Sequence, residues 1–351
     1  MKKPILIVGG GIAGLSIAVR LEERGIPFEL IDSGINHCSK VAAGMINPMV
    51  FRRMLHSWRV QEFLPETIAF YKTLADWTGE NYLKPLALRR VFAHEQEYDL
   101  WSSKQDDPAY SPYLKKINSE DMNNDSVINT FGTGMVNQAY YVSTKQLLID
   151  LQQKYKAEER LREEKIAYAD IDAENATYKR VAYENIIFCE GSHVLENPWF
   201  NYLPLQGTKG ELLTVESDEL NEFESINRKC FAMPLGNKQF KVGATYAWNT
   251  TEAICTAEAK KELLNHLATL TKAQVRVVNH EAGIRPTVPD RRPLLGRHPN
   301  FPKLSIFNGL GAKGFLLAPT LSKEFLDHLL QEDTLDKEVD IQRYAKFLIQ
   351  D

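Results

Sequence analysis

The chain opens on an apolar run, Ile5 to Val8, cut short by three glycines, Gly9 to Gly11. Behind them apolar residues recur at helical spacing from Leu15 to Leu21. Glu22, Glu23 and Arg24 follow, and Gly25 is placed to stop a helix. Phe28 to Ile31 reads as a second short strand, closed by Asp32. A secretory signal needs a continuous apolar region and a small-residue cleavage site, and the glycines break this run too early. The order is therefore strand, glycine turn, helix, strand, acid.

The next stretch, "CSKVAAGMINPM" (38–49), is small and poor in charge, suited to laying backbone against an extended ligand. Val60, Phe63, Leu64, Ile68, Phe70, Tyr71 and Leu74 predict an amphipathic helix over 58–77. Residues 85–137 are mixed, with a strand-like run at 87–93. A helix is expected from 142, capped by Ser143 or Thr144 and running through the charged stretch 154–165 as a solvated face. Runs 166–171 and 178–183 predict paired strands, and 186–189 a buried strand ending at Glu190-Gly191. From Leu205 onward "PLQGTKGELLTVE", "RKCFAMPLG" and "KQFKVGATYAW" predict an antiparallel sheet, followed by a helix over 257–271. "GIRPTVPDRRPLLGRHP" (283–299) is proline-rich and basic. A strand at 304–308 then leads into a second glycine turn, Gly309 to Gly314, that opens a helix to Leu330.

Nucleotide-type features thus sit at both chain ends and near residue 190, with a sheet-rich insert between them. The expected fold is α/β (α+β). A discontinuous Rossmann-like domain spans 1–84, 138–202 and 281–351, and an inserted antiparallel-sheet substrate domain spans 85–137 and 203–280. A length of 351 residues is consistent with two domains. The chain is 44% hydrophobic and 25% charged, a soluble globular profile, and no apolar stretch reaches the ~20 residues of a membrane span. Net charge is -4, so no global field draws nucleic acid. The four cysteines are widely spaced and read as reduced thiols of a cytoplasmic protein; a homo-oligomer is compatible with the sequence. The eight histidines show no H-x-H or H-E-x-x-H spacing, so no metal site is expected.

Gly9, Gly11 and Gly14 fit G-x-G-x-x-G. Gly9 permits the tight turn, Gly11 lets backbone approach a pyrophosphate, and Gly14 lets the helix lie close on the strand. Free N–H groups at the helix start carry about half a positive charge, which suits phosphate. Asp32 lies about 20 residues on, where an acid accepts hydrogen bonds from a ribose and repels a 2′-phosphate. These residues leave FAD and NAD both open.

Six segments in order, "IVGGGIAGLSIAVRLEERG", "AAGMINP", "QGTKGELL", "VGATY", "GIRPTVPDRRPLLG" and "GLGAKGFLLAP", are far more specific. Through them nearly the whole chain resembles the D-amino-acid oxidase family of flavoproteins, which includes glycine oxidase and sarcosine oxidase. The resemblance implies FAD rather than NAD. It implies that Gly9, Gly11, Ile12, Ala13 and Gly14 hold the pyrophosphate, and Asp32 and Ser33 the adenosine ribose. Lys40, Ala42, Ala43 and Gly44 would lie along diphosphate and flavin, with Gly191 near the dinucleotide. Gly311, Ala312, Lys313, Gly314 and Phe315 would aim a helix start at the flavin C2 carbonyl, where negative charge gathers on reduction.

The resemblance also implies a substrate pocket over the flavin, walled by Phe231, Tyr246 and the Ala312–Lys313 turn, with Arg285 facing flavin or a substrate carboxylate. The plain alternatives are sheet core for Phe231 and Tyr246, and a surface salt bridge for Arg285. Two positions depart from the family. Ala312 stands where glycine oxidase has a carboxylate-binding arginine, and Leu316 where sarcosine oxidase has a lysine. Lys313 or Arg285 could substitute. The segment Gly283 to Pro289 lacks the cysteine through which sarcosine oxidase bonds its flavin, so FAD is expected to be non-covalent.

The expected reaction is oxidation of a C–N bond in a small amine or amino acid. Hydride passes from the α-carbon to flavin N5, and oxygen or another acceptor reoxidises the flavin. Such chemistry rests on orientation and charge stabilisation more than on a dedicated base, and no catalytic residue is singled out. Three other readings compete. "VGATYAWNTTEA" and "GLGAKGF" also resemble the oxidase half of the bifunctional enzyme that modifies tRNA wobble uridine at its carboxymethylaminomethyl group. The missing methyltransferase half and the net charge weigh against that reading. An NAD-dependent dehydrogenase leaves Gly44 and Gly311 to Gly314 unexplained. A non-catalytic flavin-binding protein is the last.

Overall fold

A computed structural model describes residues 3–35, 38–118, 126–248, 250, 252–331 and 333–348. Part of the mixed stretch (119–125), and Asn249 and Thr251 of the run after Trp248, lie outside the described residues.

Ile5–Val8 is buried at every position and lies in the middle of a six-stranded sheet, which is why the run is unbroken rather than alternating. Phe28–Asp32 and then Leu161–Glu163 flank it on one side, and Ile186–Phe188 and Leu304–Asn308 on the other, all parallel. Leu294–Arg297 adds an antiparallel edge. The helix Ile12–Glu23 makes the first crossover and packs on the C-terminal helix Gly314–Gln331. Gly25, at φ +63, ends it.

The second sheet has eight strands and is mainly antiparallel. Its Gln206–Glu216 strand pairs on one side with Gln239–Gly243 and Ala247–Trp248, and on the other with Arg276–Thr287. A core of Leu213, Val215, Val242, Leu263 and Leu267 lies behind it, formed with the helix Ala257–Ala268. Among the described residues, no helix is long and apolar enough to cross a membrane.

Several expectations need correction. The helix expected to run through 154–165 stops at Ala157, because Glu159 adopts φ +56; Leu161–Glu163 becomes the edge strand instead. Neither Ser143 nor Thr144 caps that helix with its side chain. Thr144 Oγ1 instead donates to Ala42 O at 3.0 Å, tying the helix start to the loop before Gly44. The paired strands at 166–183 reduce to three two-residue strands, 171–172, 177–178 and 181–182. The mixed stretch holds a helix, Glu95–Lys104.

Arg276–Thr287 was hidden by its prolines and charges. It is an edge strand, where Pro286 lacks no needed ladder partner. The expected boundary at 281 falls inside it, and the boundary after 84 falls inside Leu83–Pro85.

Candidate active site

The first glycine turn is fixed by backbone crowding. Gly9 has φ +108, and a Cβ on Gly14 would run into Gly9 O. The helix can start this close to its strand only without a side chain at 14. Ser39 Oγ accepts from Ile12 N at 3.2 Å, while Gly11 offers the helix no side-chain cap. Asp32 Oδ1 accepts from Gly10 N at 3.1 Å, and Gln152 Nε2 donates to Gly10 O at 2.9 Å. The acid is therefore locked against the turn. Nothing in the local pattern pointed to Ser39 or Gln152.

The second glycine turn abuts the first. A Cβ on Gly314 would stand 3.1 Å from Ile12 Cγ2, so two helix starts meet at one place. Gly44, at φ +74, is pressed on Val142 and Thr144, leaving no room for a side chain.

These pieces line one cavity of about 490 Å³, within the range of a ligand site. Gly9, Gly11, Ile12, Ala13, Asp32, Ser33, Ala42, Ala43, Gly44 and Gly191 line it. So do Phe231, Tyr246, Arg285, Gly311, Ala312, Lys313, Gly314 and Phe315. Gly14 acts from behind, through the contact just described. Lys40 is not among the lining residues: the one-turn helix Cys38–Val41 presents Cys38, Ser39 and Val41 instead. Cys38 lies against Gly283, whose Cβ would stand 3.1 Å from Cys38 Cα.

One end of the cavity is acidic. Asp32, Glu164, Glu190 and Glu196 line it at and beside the carboxyl ends of the parallel strands. Glu190 accepts from Tyr168 Oη at 2.6 Å and from Asn197 Nδ2 at 2.9 Å. Burial outweighs these bonds and lifts its pKa to about 7.

Aromatic and cationic side chains also line the cavity. Tyr246 is 59% exposed, so it forms the rim and not the core of the sheet; Trp248 lies 6.5 Å from it, ring to ring. Phe231 is half-buried and also packs on the main core. Arg285 stacks 4.4 Å from the centre of the Tyr246 ring and donates to Thr245 O at 3.3 Å, with no carboxylate partner among the described residues. Lys313 Nζ donates to Ser57 Oγ, and desolvation lowers its pKa to about 8. Away from the cavity, donor atoms of Glu211, Cys255 and His280 lie within 4.8 Å of one another. The carboxylate is already engaged there, by Lys209 at 2.9 Å and Thr256 N at 2.7 Å.

The family model for FAD dependent oxidoreductases of the DAO type matches residues 4–327. The chain belongs to this family. Glycine oxidase of Bacillus subtilis is 23% identical over 360 residues, 93% of each chain. An oxidoreductase assigned to thiamine biosynthesis in Rhizobium etli is 30% identical over 160 residues, so the match spans 43% of this chain and 46% of that one. The crystal structure of glycine oxidase from Geobacillus kaustophilus superposes with a TM-score of 0.79 over 98% of both chains, at 21% identity, a likeness of fold. The DAO family is FAD-dependent and enzymatic, so the NAD-dependent and non-catalytic readings fall away.

Proposed function

We propose that this member of the DAO family oxidises a C–N bond of a small amine or amino acid, with FAD held non-covalently in the cavity. The observation that carries the reading is the meeting of two glycine-bearing helix starts, Asp32 and basic and aromatic side chains around one cavity. The residues suit FAD. Gly9 and Gly14 let the helix start lie close on its strand, since a Cβ on Gly9 would strike Cys189 O and one on Gly14 would strike Gly9 O, and the amides from Gly11 to Ala13 would hold the diphosphate. Asp32 and Ser33 would take the ribose, and Ala42, Ala43, Gly44 and Gly191 would lie along the dinucleotide. The turn Gly311 to Phe315 would face the flavin.

FAD, when bound, would supply the two-electron oxidising chemistry for the C–N bond, with oxygen or another acceptor as the final oxidant. The chain's own part is positioning. Phe231 and Tyr246 would restrict the substrate's apolar surface, while Arg285 and Lys313 would fix its anionic end, aligning the reacting carbon. Reconstitution with FAD and anaerobic addition of amines tests the reading. A suitable amine bleaches the flavin band; a protein that takes up no FAD refutes it.

A second reading draws on the exposed Tyr246–Trp248 pair, which could stack a base at the rim. Here the substrate is the carboxymethylaminomethyl group of a tRNA wobble uridine. It requires steeply salt-dependent tRNA binding, and no binding at low salt removes it.

A further inference from the structure

The strand Gln206–Glu216 carries a group of ligating atoms on the face turned away from the cavity. Gly210 and Leu212 line the cavity, so Glu211 between them points to the other side, where it meets the start of the helix Ala257–Ala268. His280 stands opposite Leu213 on the neighbouring strand, which sets it on the same face as Glu211. Cys255 directly precedes Thr256, the N-cap of the helix. Three separate segments thus bring a carboxylate, an imidazole and a thiol together, with their ligating atoms within 4.8 Å of one another.

The carboxylate is held in place without being saturated. Glu211 Oε1 accepts from Lys209 Nζ at 2.9 Å and from Thr256 Oγ1 at 3.0 Å, and Oε2 accepts from Thr256 N at 2.7 Å. A carboxylate has about four lone-pair sites, so among the described residues one on Oε2 is left. Lys209 also donates to Ile254 O at 2.8 Å, which keeps its charge on the Oε1 side. Lys209 and Thr256 therefore act as the outer partners that orient a ligating carboxylate.

His280 Nε2 lies 2.9 Å from Glu211 Oε2. It is buried and makes no hydrogen bond, so the ring nitrogen aims beside the oxygen and not at it. A cation bound beside both atoms accounts for this arrangement. Oxygen and nitrogen ligands bonded at about 2.0–2.2 Å to one zinc ion stand roughly 3 Å apart, with the ion off the line that joins them. Cys255 is exposed, and its thiol makes a long contact, donating to His280 O at 3.4 Å. A thiol held so weakly can turn its sulfur to an ion at small cost.

We infer that Glu211 Oε2, His280 Nε2 and Cys255 Sγ form a site for a divalent cation of the zinc class, with solvent completing the coordination. Thiolate and imidazole select such an ion over calcium or magnesium, which take oxygen ligands. On binding, the Cys255 thiol gives its proton to solvent and the sulfur bonds to the ion. The ion pins the start of the helix Ala257–Ala268 to the back of the strand that lines the cavity. The site stands apart from the oxidase reading and does not depend on it.

The test uses FAD-loaded protein, with zinc ion alone as the probe and calorimetric titration as the readout. One equivalent is expected to bind with a dissociation constant of about 10 µM or tighter. Bound zinc slows alkylation of Cys255 by iodoacetamide at least about tenfold, read by peptide mass. Magnesium and calcium at the same concentration do neither. Cys255→Ala and His280→Ala each weaken zinc binding at least about tenfold. Both side chains reach solvent, at 19% for His280, so these variants should keep the fold, checked by unchanged FAD uptake. Zinc that binds more weakly than the stated limit overturns the inference. So does binding that is lost in Cys255→Ala but kept in His280→Ala, which is capture by a thiol alone.

Discussion

Arg285 occupies the space that a side chain on Gly210 would need, so the identity of residue 210 is explained by a residue on the neighbouring strand. The two should therefore be energetically coupled. Gly210→Ala is expected to cost about 1 kcal/mol, because the guanidinium at the end of a flexible side chain must swing off the Tyr246 ring to make room. In an Arg285→Ala background the cost should fall to a few tenths, because the obstacle is gone. A denaturant double-mutant cycle measures the difference, and additive effects would mean the guanidinium lies elsewhere.

Gly14→Ala tests the first turn. The added methyl meets Gly9 O, a backbone atom that cannot swing aside, so the helix must retreat from its strand. A loss of about 2 kcal/mol or more in stability is expected, with at least about tenfold weaker FAD uptake from the displaced amides. Unchanged FAD affinity would mean that helix start does not hold the diphosphate.

Lys313 gives the site a pH dependence. Its pKa is lowered by desolvation from 10.5 to about 8, so between those values the unfolded chain holds a proton that the folded chain has released. Stability from this group therefore rises with pH across that window. Binding of a carboxylate ligand behaves oppositely and weakens as pH rises past about 8, where the ammonium is lost. In Lys313→Met both slopes should vanish, read by thermal melts and ligand titration at several pH values.

Glu190 lines the same cavity. Burial raises its pKa from 4.5 to about 7, so between those values the folded chain keeps a proton that the unfolded chain has lost. Its contribution to stability is present at low pH and disappears as pH rises through about 7. Above that pH it is an anion lining the dinucleotide end, so FAD affinity should fall. Glu190→Gln should flatten the fall, measured as FAD dissociation constants from about pH 5 to about pH 9, roughly two units either side of the transition.

The first strand, turn and helix were legible in the local pattern. An apolar strand, three glycines, a periodic helix and Asp32 lie within one short stretch, and backbone crowding at Gly9 and Gly14 gives those glycines their meaning. The partners from distant segments were not legible. Gln152 reaches Gly10 from a helix whose sequence reads only as a solvated amphipathic element, and Ser39 reaches Ile12 from a loop. Arg276–Thr287 was missed because an edge strand tolerates Pro286 and charged residues that a central strand would not. Lys40 was carried over by position, but the one-turn helix turned its neighbours to the cavity instead. That Lys229, Arg285 and Lys313 line one cavity depends on three separate segments meeting, which no single window of sequence contains.

The most direct measurement is anaerobic titration of the FAD-reconstituted protein with a panel of amines, recorded in the flavin absorption band. The account predicts stoichiometric FAD uptake and bleaching by at least one carboxylate-bearing amine, with colour restored when an acceptor is admitted. A protein that stays colourless after incubation with FAD, or a bound flavin that no amine reduces, would contradict it.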